Sequence, residues 1–117
     1  MPITTKYLFL VSMDVEPEKE ALFNEVYDEE HVPLLLKVDG VSAVTRLTSE
    51  PLVVSMAGKQ QTIVAEGEPK FLAMYEIDSP DVLVSDAWAD AVEQGRWPEM
   101  VRPYTSNRRH VLRKVIA

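Results

Sequence analysis

Two stretches of this sequence, Tyr7 to Val15 and Phe71 to Ile77, are apolar on both of their alternating sets of residues. In the first, Tyr7, Phe9, Val11 and Met13 point one way while Leu8 and Leu10 point the other. In the second, Phe71, Ala73, Tyr75 and Ile77 oppose Leu72 and Met74. Successive side chains of a strand leave opposite faces, so such runs describe strands covered above and below, in the middle of a sheet. Val41 to Leu47 alternates Val41, Ala43, Thr45 and Leu47 against Ser42, Val44 and Arg46, and Asn107 to Ile116 is more polar still. Both belong nearer an edge.

Between these strands the residues recur at helical spacing. Pro17 opens a helix where its missing N–H is harmless, with Glu16, Glu18 and Glu20 at the positive end of the dipole. Leu22, Phe23, Val26, Tyr27 and Glu30 form its inner stripe, and Pro33 is expected to kink or restart it at Val32. Leu34, Leu35 and Leu36 add an apolar turn that Asp39-Gly40 ends. A second helix is predicted from Ser79-Pro80-Asp81 to about Gln94, with Leu83, Ala87, Trp88 and Ala91 inward. Arg96 to Tyr104, broken by Pro98 and Pro103, reads as irregular.

The order is therefore β-α-β-β-α-β, an α+β, ferredoxin-like arrangement with an antiparallel sheet, in one domain spanning 1–117. In that topology the first and third strands are central, which agrees with their two apolar faces. Residues 50–69 are an insertion in which Val53-Val54 and Thr62-Ile63-Val64 flank Ala57-Gly58-Lys59, readable as a hairpin or as a loop. Two helices cover one face of the sheet only. A second copy is the expected cover for the other, giving a homodimer.

Composition removes several classes of function. The chain has 12 basic and 19 acidic residues, a net charge of −7, and a nucleic-acid surface needs the opposite sign. Residues 16–30 hold seven acids and one lysine, while 102–114 hold four arginines, one lysine and no acid; two solvated faces are the plainest reading. With no cysteine there is no disulfide, thiolate metal site or cysteine nucleophile. No apolar run has the length of a membrane span, and Met1 to Lys6 lacks the features of a signal peptide, so a soluble cytoplasmic protein is expected. Gly-rich phosphate loops, a serine nucleophile elbow and a dinucleotide fingerprint are lacking, and the two histidines, far apart, make no metal motif.

Phe23, Tyr27 and His31-Val32-Pro33-Leu34, followed by Gly40-Val41, resemble a pattern of EthD-type domain proteins in the dimeric α/β-barrel superfamily. The resemblance implies two subunits forming a dimeric α/β barrel, with a small pocket between helices and sheet in each. Superfamily members include cofactor-free monooxygenases, isomerases, cyclases and haem-degrading enzymes. The Asn, Trp and His set of the last branch has no counterpart here, so no cofactor is expected.

Phe23, Tyr27 and His31 lie in one i, i+4 row. Two readings of His31 stay open. If a pocket reaches it, it is the natural general base, with Tyr27 polarising an oxygen and Glu30 or Asp28 orienting the ring. Otherwise it bonds carbonyls freed by Pro33. His110 reads as an exposed edge residue. Trp88, Trp97, Tyr75, Tyr104 and Met74 are candidates for an aromatic cavity, though such residues are more often core. Arg46 and Arg102 are candidate partners of a substrate carboxylate or enolate, though solvent or a salt bridge to the acidic first helix is the plainer reading. The expected function is cofactor-independent chemistry on a small apolar or aromatic compound, with His31 and Tyr27 catalytic and Phe23, Tyr75, Trp88 and Arg46 at the substrate. The alternatives are non-catalytic ligand binding and a purely dimeric interaction protein.

Overall fold

The two strands that are apolar on both sides lie side by side in the centre of a four-stranded antiparallel sheet. In the computed structural model, which describes residues 3–117, β1 (Tyr7–Val15), β2 (Val41–Thr48), β5 (Phe71–Ile77) and β6 (Thr105–Lys114) are ordered β2-β5-β1-β6. Met1 and Pro2, part of the N-terminal stretch read above for a leader, lie outside the described residues. The pairing of β1 with β5 sets Phe9 opposite Tyr75 and Val11 opposite Ala73. These residues form the core together with Phe23, Val26, Tyr27, Leu35, Trp97 and Val101 from the helical layer.

One helical layer covers one face of the sheet. It comprises α1 (Glu20–Val26), α2 (Val32–Leu36) and α3 (Asp86–Ala91), with 3₁₀ and π turns between them. The other face carries Leu8, Leu10, Leu72 and Met74, only half-buried, beside buried Ser12 and Glu76. The smallest dimension of the molecule, 19 Å, has room for one sheet and one helical layer.

Several expectations need correction at the level of local geometry. The first helix is restarted at Val32, as Pro33 leads one to expect, though with no gap in the helical chain. The chain widens into a π turn at Tyr27–His31, closed by the Val32 N–H donating to the Tyr27 carbonyl, and Pro33 sits at the start of α2. The wider turn absorbs the proline's missing donor and ring bulk without a break. Val41 pairs with Ile77 and a bulge intervenes before Ala43, so Val41 faces the helices while Ala43 and Thr45 face outward. That bulge breaks the simple alternation expected for β2.

The second helix is also shorter than its periodicity predicts. Ser79 caps a 3₁₀ turn, Pro80–Val84, and Ser85 then caps α3 afresh by accepting from the Trp88 N–H. Ala87 consequently lies exposed rather than inward. The segment read as irregular contains a second π turn, Trp97–Val101, with Pro98 in its first positions.

Residues 50–69 hold a hairpin, β3 (Leu52–Met56) and β4 (Lys59–Ile63), paired only with itself. Its turn residues Ala57 and Gly58 both have positive φ, 52° and 77°, as a primed two-residue hairpin turn requires. The radius of gyration is 16.0 Å, where a compact chain of this length has about 13 Å. A thin body with a protruding ribbon accounts for the excess.

Candidate functional site

The two π turns meet at the inner side of the sheet, and His31 and Trp97 come from one each. Their rings stack, with centroids 4.5 Å apart and planes 21° from parallel. Tyr27 approaches both edge-on, 5.0 Å from His31 and 5.1 Å from Trp97. A cavity of about 250 Å³ opens here, walled by Phe9, Tyr75 and Trp88 as well, with Arg102, Arg108 and His110 among its lining residues. That volume suits a one- or two-ring compound, at the small end of ligand sites.

A clamp fixes the Trp97 side of the wall. The Glu30 carboxylate accepts from the Arg96 backbone N–H at 2.9 Å and from the Arg96 Nε, while Arg96 Nη1 donates to Glu25. The backbone bond first, then the guanidinium, hold the Glu30 carboxyl below the usual carboxylate range. Gly95 makes the approach feasible. Its φ is +73°, and a Cβ there would lie 2.6 Å from Glu30 Oε1. Glu30 therefore anchors the residue before Trp97, and among the described residues it makes no hydrogen bond to His31 Nδ1, contrary to the expectation that it orients the ring. Asp28 is likewise engaged elsewhere, bound by Arg46 at 2.8 Å.

His31 is 5% exposed, and its Nδ1 is buried without a hydrogen-bond partner among the described residues. The reading in which it bonds carbonyls freed by Pro33 finds no bond at that nitrogen. Burial first, and then the Arg102 charge, push its pKa down to about 4, so the ring is neutral at neutral pH. A buried polar atom left unpaired costs roughly 1–3 kcal/mol.

Tyr27 and Tyr75 form the second polar element. Their hydroxyls are 2.8 Å apart and buried. Burial raises the Tyr27 pKa to about 12 and drives that of Tyr75 well up, so both remain protonated. Two hydroxyl protons with one bond between them leave one over. It is available to an oxygen in the cavity.

The structure divides the residues proposed from sequence. His31, Tyr27, Tyr75 and Trp88 line the cavity, joined by Trp97 and Arg102. Phe23 lies behind Tyr27 in the core, 1% exposed and packed on Phe71. Arg46 is held by Asp28 and Asn24 over the Phe23 and Tyr27 rings, away from the cavity. Met74 belongs to the opposite face of the sheet, and Tyr104 stacks under the Lys19 ammonium. His110 is exposed on an edge strand as read, yet it also lines the cavity, its ring 6.0 Å from Phe9. Arg108 and His110 are site residues that the polar pattern of their strand does not reveal. Their i, i+2 spacing with Leu112 puts them on the cavity face once the pairing of His110 with Val11 is known. Among the described residues no three His, Asp or Glu side chains gather as a metal ion would need.

Of the chains compared, no family model and no curated protein sequence matches this one. A solved structure does: the crystal structure of an ethyl tert-butyl ether D (EthD) family protein from Bacillus halodurans C-125 superposes with a TM-score of 0.56 at 14% identity, over 94% of this chain and 99% of that one. At that identity the likeness speaks for the fold alone. The chain is thus EthD-like in its α+β architecture.

Proposed function

We propose that the cavity binds a small, flat, largely apolar compound and that the protein acts on it without a cofactor. The observation carrying this reading is the buried, unpartnered His31 Nδ1 beside a ring-lined space of about 250 Å³. In it, the ligand ring lies among the aromatic walls. The free tyrosine proton polarises a ligand oxygen, and the neutral imidazole takes a proton from the activated position. The step is a proton transfer of the kind used in isomerisation, cyclisation or activation of a substrate towards oxygen.

One observation favours a second reading, ligand binding without turnover. A conjugate-acid pKa of about 4 makes free His31 a weak base at neutral pH. A panel of one- and two-ring phenols, enols and lactones assayed for turnover, with 1-naphthol as binding probe, separates the two. Turnover abolished in His31→Ala, with the circular dichroism unchanged, supports catalysis. Saturable binding that moves the His31 ¹⁵N resonances without turnover of any compound supports the binding reading. If 1-naphthol fails to bind, both fall.

We also propose that a second copy covers the outer face of the sheet. Leu8, Leu10, Leu72 and Met74 form an apolar centre there that the chain's own helices leave bare, and a symmetric pair of sheets would bury it. The β3–β4 ribbon, with Leu52, Val53 and Met56 exposed, has no further partner strand among the described residues. Sedimentation at micromolar concentration tests this: a monomer mass refutes it.

A further inference from the structure

The lining of the cavity has the wrong sign for this protein. The chain carries 19 acids against 12 basic residues, yet among the described residues the cavity wall contains no Asp or Glu and includes Arg102 and Arg108. The two arginines differ in how they are held. Arg102 donates to both oxygens of Glu93, at 3.2 and 3.0 Å, and to the Val92 carbonyl. Arg108 is in no salt bridge among the described residues, whereas Arg46, Arg96, Arg102 and Arg109 each are.

The strand is bent where Arg108 stands. Ser12 pairs with Arg109 and Asp14 with Ser106, so Met13 faces both Asn107 and Arg108 across a bulge. Asn107 takes the left-handed conformation there, φ 51°, and its amide donates to Asp14 Oδ2 at 3.1 Å and to the Gly67 carbonyl at 2.8 Å. Bulges of this kind bend a strand and aim side chains beside sites. Here the bulge is tied down on two sides, and Arg108 stands next to Met13 in the cavity wall.

We propose that the ligand is an anion, an aromatic or conjugated carboxylate of one or two rings, whose carboxylate is received by Arg108 with His110 and whose ring lies against Trp97 and His31. This deepens the binding reading above and rests on it. Arg102 is already neutralised by Glu93, so its contribution is to field and shape. Arg108 supplies the forked donors that a carboxylate matches. The aromatic wall takes the ring, and the spare tyrosine proton meets any further oxygen on it.

The experiment is calorimetric titration of the full chain with 1-naphthoate and with its neutral counterpart 1-naphthalenemethanol, at low and at physiological salt. Naphthoate is expected to bind about tenfold or more tightly, and Arg108→Gln to remove most of that preference while leaving the neutral probe's affinity unchanged. Arg113→Gln removes the same charge from the outer face of the same strand and is expected to keep the preference, which separates a local contact from the general field. Equal affinity for the two probes, or a preference untouched by Arg108→Gln, overturns the anion assignment while leaving the cavity reading intact. Failure of both probes to bind sinks the two together.

Discussion

Acidification should unfold this protein earlier than its carboxylates alone dictate, and the excess should trace to His31. In the unfolded chain an imidazole has a pKa near 6.5, whereas burial beside Arg102 brings it to about 4 in the folded state. Above pH 6.5 the ring is neutral in both states and the pH dependence from this residue is nil. Between pH 6.5 and 4 the unfolded chain binds a proton that the folded chain refuses, so stability falls with pH across that window and levels off below it. A shift of this size is worth about 3 kcal/mol at roughly 1.4 kcal/mol per unit. Against a total of roughly 5–15 kcal/mol for a domain, that is a large share. The assay is urea unfolding followed by tryptophan fluorescence at pH 7.5 and pH 4, on the native protein and on His31→Phe, which keeps a ring against Trp97. The other acidic and basic groups are common to both proteins and cancel in the comparison. The native protein should lose about 3 kcal/mol more than the variant on acidification, at similar m-values. If the two lose stability in parallel, His31 is not held neutral by burial, and the reading of it as a buried neutral base fails.

Gly95→Ala should destabilise the protein by about 1–3 kcal/mol, because it combines an unfavourable positive φ with a collision at Glu30; the near-ultraviolet circular dichroism of Trp97 should weaken with it, and an unchanged melting temperature would contradict the clamp. Phe23→Ala, at a position 1% exposed and packed on Phe71 and on the cavity-lining Tyr27, should cost about 3–5 kcal/mol by denaturant titration. Leu10→Asp places a charge in the centre of the outer face. It should convert a sedimenting dimer to monomer or unfold the chain, and a folded dimer of unchanged affinity would mean that no partner covers that face.

Much of this architecture was legible before any coordinates, wherever the cause is local. Alternation within β1 and β5 placed both strands at the sheet centre, because a strand apolar on two sides has nowhere else to bury them. Ser79-Pro80 and Ser85 carry their capping chemistry in their own side chains, although only the structure shows that the helix is started twice. The i, i+4 row of Tyr27 and His31 survived the π turn, and both residues are buried as one face.

The site itself was decided by contacts that no short stretch of sequence contains. Of the two readings of Arg46, substrate partner or salt bridge to the acidic first helix, the fold realises the second, with Asp28 and Asn24 at 2.8 Å, and only the fold shows which acid it takes. Glu30 sits beside His31 in sequence, yet it bonds Arg96, sixty-six residues on, because a π turn and Gly95 bring that backbone N–H to it. Arg108 and His110 entered the wall through the register of β6 on β1 and the bulge at Asn107, both set by pairing across the sheet. Periodicity reports which faces of an element are apolar. Which residues of distant elements share a cavity depends on register, bulges and turn width, and those come from packing the whole chain at once.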